Sequence, residues 1–225
     1  GRVHEAVTPM GQIVYSDIEI RHKKEGTGDK DRNLRIYETM LKEGETLEPR
    51  HQFYYARELY YHGRHAEAIQ VLEGFLKEPG AWIENQIDAC LHLAYCFEKL
   101  GRQEDAMNAL TRSFVYDRPR GEACCELGKL KMEAGKLEEA VYWYTQALTL
   151  NPDEQSGAFV QRDCYGYLPS IQLCVCYDRL GDHKRAYYYH QKSQKFKPDS
   201  EAVKQNQAYF ERILEQETGA VPLNQ

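Results

Sequence analysis

A 34-residue stretch from Gly121 to Glu154, GEACCELGKLKMEAGKLEEAVYWYTQALTLNPDE, limits the fold more than any other part of the chain. Its apolar residues recur at helical spacing in two runs; Gly135 ends the first helix and Pro152 closes the second. Gly128, Ala140 and Ala147 are small where two antiparallel helices have to approach closely. Such a pair cannot bury its apolar face alone, so it requires neighbours of the same plan. They are present on both sides. Gly101 heads GRQEDAMNAL, with Ala94 and Ala106 at the small positions, and Gly63 heads GRHAEAIQVL. Gly181 heads GDHKRAYYYHQ, with Ala186 and Pro198 placed as Ala140 and Pro152 are. The intervals between Gly63, Gly101, Gly135 and Gly181 are 38, 34 and 46 residues. Four residues are therefore extra around Trp82 to Gln86 and twelve around Gln155 to Gly166, which places the units at 49–82, 87–120, 121–154 and 167–200.

This pattern is similar to the tetratricopeptide repeat, and the resemblance implies an all-α, right-handed solenoid of about four helix pairs. Residues 201–217 carry Val203, Tyr209, Phe210 and Ile213 on one side and charge elsewhere, as expected of a helix that caps the exposed end of a repeat core. Residues 218–225 are expected to form a loose tail. The extra residues after Trp82 lengthen the first helix of the second unit by about one turn. The insertion QSGAFVQRDCYG holds Phe159 and Val160, and such an apolar pair is expected to fold against the stack as an extra turn or a lid.

Composition excludes several classes. The net charge is −6, and the 35 acidic and 29 basic residues are interspersed, so no basic stripe points to nucleic acid. No apolar run approaches the roughly 18 residues of a membrane span, and GRVHEAV lacks the layout of a signal peptide, so a soluble, cytoplasmic chain is expected. Seven cysteines are an odd number, and six of them (Cys90, Cys96, Cys124, Cys125, Cys174 and Cys176) fall on first helices where small apolar side chains fill a stack. They read as buried thiols. His62 with His65, and His183 with His190, each lack a third ligand at suitable spacing for a metal. The aromatic runs Tyr142–Tyr144 and Tyr187–Tyr189 lie on second helices, where rings wedge between units.

The first part of the chain does not follow the repeat. RVHEAV and QIVYSDIEI, joined by TPMG, read as a β-hairpin; a polar loop and the helix RNLRIYETMLKEG follow, with Leu34, Tyr37 and Leu41 on one face, Asp31 as its cap and Gly44 as its end. The order His4, Glu5, Gly11, Tyr15, Asp17, Ile20, His22, then Arg32, Asn33, Leu34 and Arg35 resembles the closing segment of family 2 glycosyltransferases. One bacterial branch of these, which includes peptide S-glycosyltransferases, joins its catalytic domain directly to tetratricopeptide repeats. The resemblance implies that residues 1–31 are the tail of such a domain, a short β-hairpin remnant ahead of a connecting helix at 32–48. It also implies that His22 serves as a ligand to a divalent Mg or Mn ion, that His4 and Glu5 lie near the reacting centre, and that the parent protein uses a nucleotide sugar. The nucleotide-binding strands are missing, so this chain alone is expected to be inactive. Asp29-Lys30-Asp31 has the spelling of the family's metal motif but sits before a helix, where capping accounts for it.

In a tetratricopeptide stack the first helices direct five positions into a groove. In unit one these are Arg50, Phe53, Arg57, Tyr60 and Tyr61; in unit two Asp88, Leu91, Tyr95, Glu98 and Lys99. Unit three offers Glu122, Cys125, Lys129, Met132 and Glu133, and unit four Leu168, Ile171, Val175, Asp178 and Arg179. Aromatic anchors with flanking charges suit an extended peptide or a partner helix; the same aromatics could equally pack against insertions or a catalytic domain. The lysine and asparagine clamp of chaperone-binding members is absent. Two functions are expected of this region: recruiting an acceptor polypeptide, or joining two subunits, for a glycosyltransferase; or acting as a stand-alone adaptor for a peptide or protein.

Overall fold

The computed structural model describes residues 29–152 and 156–219, together with residues 3, 11, 12 and 14. Among them are ten α-helices and no strand. The expected hairpin over the first thirty residues, with His4, Glu5 and His22, lies outside the described residues. The chain divides into two compact units, Gly1–Pro79 and Gly80–Gln225.

In the first unit, α1 (Arg32–Lys42) precedes the pair α2 (Pro49–Tyr61) and α3 (His65–Phe75). Pro49 begins α2, where its missing N–H costs no hydrogen bond. Phe53, Leu59, Leu72 and Phe75 are fully buried between α2 and α3. Helix α1 turns Leu34, Tyr37 and Met40 inward, and Leu41, expected on that face, is exposed. Asp31 does not cap α1 with its side chain; its carboxylate meets His62 Nε2 at 3.0 Å, while Asp29 pairs with Arg35. Gly44 ends the helix at φ +80°.

The second unit holds α4 (Ile83–Lys99) with α5 (Gln103–Arg112), α6 (Gly121–Glu133) with α7 (Leu137–Thr149), α8 (Tyr167–Arg179) with α9 (His183–Phe196), and α10 (Glu201–Gly219). Helix α4 starts four residues before position 87, the extra turn that follows Trp82.

One turn joins every pair. Gly63, Gly101, Gly135 and Gly181 have φ between +72° and +79°, the left-handed region that only glycine occupies without strain. At Gly135 the amide donates to Met132 O (3.1 Å) and the Lys136 amide to Lys131 O (2.9 Å), a Schellman ending repeated residue for residue at the other three. The next helix then starts with a short-range charge pair: Arg64–Glu67, Arg102–Asp105 and Lys136–Glu139, with the signs reversed at Asp182–Arg185.

Close approach is enforced by small residues. A side chain at Gly128 would meet the Tyr144 ring at 2.8 Å; Ala140 and Ala147 are fully buried beside it with Cys124 and Leu173. Rings fill the seams: Phe114 tilts against Trp143 between neighbouring pairs (6.3 Å between centroids), and Tyr177 stacks on Tyr189 within the α8–α9 pair (5.5 Å). Helix α10 closes the stack with Val203 and Phe210, the latter against Tyr187 and His190.

All seven cysteines are reduced and buried. Burial pushes the thiols of Cys96, Cys124 and Cys174 up to about 12 and that of Cys176 up to about 11, which keeps them protonated and unreactive near neutral pH. Cys174 and Cys176 point to different cores, the first toward α10 and the second toward α7.

Candidate functional site

Helical spacing brings Glu84, Asp88, Leu91 and Tyr95 to one side of α4 and Glu122, Cys125 and Lys129 to one side of α6. The inserted segment lies against these two sides. Residues 156–161 have no regular structure, and a 3-10 turn follows at Arg162–Tyr165.

Glu122 holds the segment. Its Oε1 accepts the backbone N–H of Gln161 at 2.7 Å and its Oε2 accepts the Tyr165 hydroxyl at 2.7 Å. Glu122 is only 6 % exposed, and a buried polar group needs such partners. Burial, and then the Glu122 carboxylate beside it, push the Tyr165 phenol upward, so it remains a donor. The Cys125 thiol points at Cys164 O (3.5 Å), and Gln161 Nε2 makes a loose 3.5 Å contact with the Tyr95 hydroxyl. Tyr165 fits because residue 121 is glycine, where a side chain would come within 2.9 Å of its ring.

Under the segment a cavity of about 40 Å³ remains, lined by Ile87, Leu91, Leu110, Ala123, Phe159 and Val160. Its rim is charged. Arg120 bridges Glu84 (2.9 Å) and Asp117 (2.8 Å), and Asp88 Oδ2 is buried with no partner among the described residues. Further along, Lys129 joins α6 to α4 through Glu98 (2.7 Å) and also pairs with Glu126. Burial pulls the Lys129 ammonium down, but its bonds to Glu126 and Glu98 win and raise it.

The remaining groove positions are distributed unevenly. Phe53, expected in the groove, is fully buried against Phe75 (5.6 Å) and belongs to the core. Arg50 lies over Tyr54 (5.7 Å), and Arg57 lies over Tyr54 (5.8 Å) and Tyr61 (6.0 Å). Tyr60 is half-buried, edge-on to Tyr61. Lys99, Glu133 and Arg179 are exposed near the ends of their helices. On α8, Asp178 accepts the Tyr209 hydroxyl of α10 at 2.8 Å, so the capping helix takes up part of that face.

Sequence reasoning missed Glu84, Arg120, Gln161 and Tyr165. The available signal was a charged residue inside the otherwise small and apolar run GEACC, opposite an insertion with an apolar pair. No group of three or more His, Cys, Asp or Glu among the described residues could hold a metal ion, and no helix there is long and apolar enough to cross a membrane.

The sequence pattern of the tetratricopeptide repeat matches residues 87–116 and 121–154. The chain thus contains tetratricopeptide repeats over these residues. The solved structure of PilW, described as a widely conserved type IV pilus biogenesis factor, aligns with a TM-score of 0.55 at 23% identity, over 70% of this chain and 66% of that one. MamA aligns with a TM-score of 0.59 at 17% identity, over 81% and 92%. Pseudomonas aeruginosa pilF aligns with a TM-score of 0.52 at 15% identity, over 80% and 82%. At these identities the likeness is one of fold. No curated protein sequence matches the chain. The repeat half of the sequence expectation thus stands, and the glycosyltransferase half has no support among these likenesses.

Proposed function

We propose that this protein is an interaction scaffold whose α4–α6 face takes an extended polypeptide. One observation carries the reading: that face already holds a non-helical stretch of polypeptide, and holds it by the main chain, through the Gln161 N–H on buried Glu122. A carboxylate that accepts a backbone N–H reads the polypeptide itself and leaves side-chain choice to the apolar hollow beside it. The adaptor reading is preferred to the glycosyltransferase one because it rests on this geometry, whereas His4, Glu5 and His22 lie outside the described residues.

Selection from a displayed library of random peptides tests it. Binders are expected to weaken about ten- to a hundredfold on Glu122→Ala, the loss of one hydrogen bond to a charged group. Binders that ignore both Glu122→Ala and Tyr95→Ala would place the interaction elsewhere.

A further inference from the structure

The insertion is held unequally along its length. In its second half Cys164 is buried in the α6–α8 core, Tyr165 is seated over Gly121, and Asp163 pairs with Lys197. In its first half, 156–161, no residue is buried, Phe159 is 53 % exposed, and Gly157 lies where an added Cβ would be 3.4 Å from a Trp82 ring that is itself 47 % exposed. This arm covers an apolar hollow that it does not fill, beside an Asp88 oxygen that it does not satisfy.

We infer that residues 156–161 are an internal ligand that keeps the α4–α6 face closed until an extended segment of similar chemistry displaces them. The inference rests on the function proposed above and names its ligand class. The incoming segment is neutral to basic, because Glu84, Asp88 and Glu122 outnumber Arg120 around the hollow. It carries an aromatic or branched apolar pair for the hollow of Ile87, Leu91 and Leu110, a backbone N–H for Glu122, and a donor for Asp88 Oδ2. Displacement leaves the repeats intact, because the core contacts belong to 162–166 and because an opened Glu122 is rehydrated rather than stranded. A tethered arm competes at an effective concentration in the millimolar range, so even a weak internal ligand suppresses an external one.

Gln161→Pro removes the one N–H that Glu122 reads from the arm, at a residue whose φ of −91° lies near proline's range. The probe is a labelled peptide of residues 156–162, SGAFVQR, titrated into the millimolar range and followed by NMR shifts of α4 and α6. It is expected to bind the Gln161→Pro protein at least tenfold more tightly than the wild type, and the peptide SGAFVPR is expected to lose that binding. Phe159→Ser with Val160→Ser loosens the arm without a backbone change and is expected to act in the same direction, with helicity and melting unchanged in both variants. Equal binding to wild type and to both variants would show that the arm does not compete. Absence of binding to either folded variant would show that it is not a ligand. In both cases selected peptides that depend on Glu122 could still be found, so failure of this inference is distinct from failure of the proposed function.

Discussion

The groove positions of α2 and those of α4 and α6 correspond in the repeat, yet their contacts are made by different means. On α2 the ring contacts are local: Arg50 lies on Tyr54 and Arg57 on Tyr61, one helical turn apart, and Tyr61 meets its neighbour Tyr60. On α4 and α6 the central group is a buried carboxylate whose donors come from Gln161 and Tyr165, roughly forty positions further along the chain. A side whose contacts arise within one helix needs no distant segment to form. One that needs donors from elsewhere is built around a guest, and here the guest is the chain's own insertion.

The largest expected effect tests the scaffold beneath the second of these sides. Gly128→Leu drives a side chain into the Tyr144 ring, already 2.8 Å from a bare Cβ, and is expected to cost about 3 kcal/mol in denaturant unfolding, the upper end of the usual overpacking penalty. An unchanged midpoint would mean that α6 and α7 do not meet in this register. Glu122→Ala comes next. It leaves the Gln161 N–H and the Tyr165 hydroxyl without their acceptor and is expected to cost about 2 kcal/mol, against almost nothing for an exposed acid such as Glu133→Ala. Similar losses from both would erase the distinction between a held guest and a solvated surface.

A smaller effect separates the units by pH. His62 Nδ1 faces Glu58 O at 2.7 Å and Nε2 faces Asp31, so both ring nitrogens meet acceptors and the imidazolium is favoured, first by the Glu58 carbonyl and then by the Asp31 carboxylate. Its folded pKa lies above the ordinary value of about 6.5. The stabilisation is therefore fully present below that pH and disappears as pH rises through the raised value. Melting of the first unit, followed by the Tyr37 environment, is expected to fall with rising pH across that window, and His62→Gln to flatten the dependence. The smallest effect is expected of Tyr61→Ala. With the ring 62 % exposed, stability should change by no more than about 0.5 kcal/mol in a thermal melt. A large loss would make the α2 aromatics part of the core and remove the contrast.

Much of the fold was legible because its determinants are local. Four turn glycines at positive φ, small residues at fixed distance from them, and charge pairs at the head of each second helix all recur with the period. The extra turn of α4 and the capping by Val203 and Phe210 followed from the same pattern. Phe53 and Leu41 were misassigned because a helical face says which residues share a side, but a difference of one position decides which of them a neighbour covers. Asp31 was assigned to a cap by its place before α1, whereas its partner, His62, is more than thirty residues distant. The closure of the α4–α6 face was illegible for the same reason. The insertion has no period, and nothing local to Glu122 announces that a segment near residue 161 returns to it.

Amide exchange at Gln161 tests the central claim most directly. The account predicts that this N–H is protected by Glu122, exchanges far faster than the helix amides of Leu93 and Cys124, and does so with little dependence on denaturant, as expected of an arm that opens on a folded stack. Exchange at the rate and denaturant dependence of Cys124 would contradict it, because the arm would then leave only when the repeats unfold; exchange with no protection at all would contradict the bond to Glu122 itself.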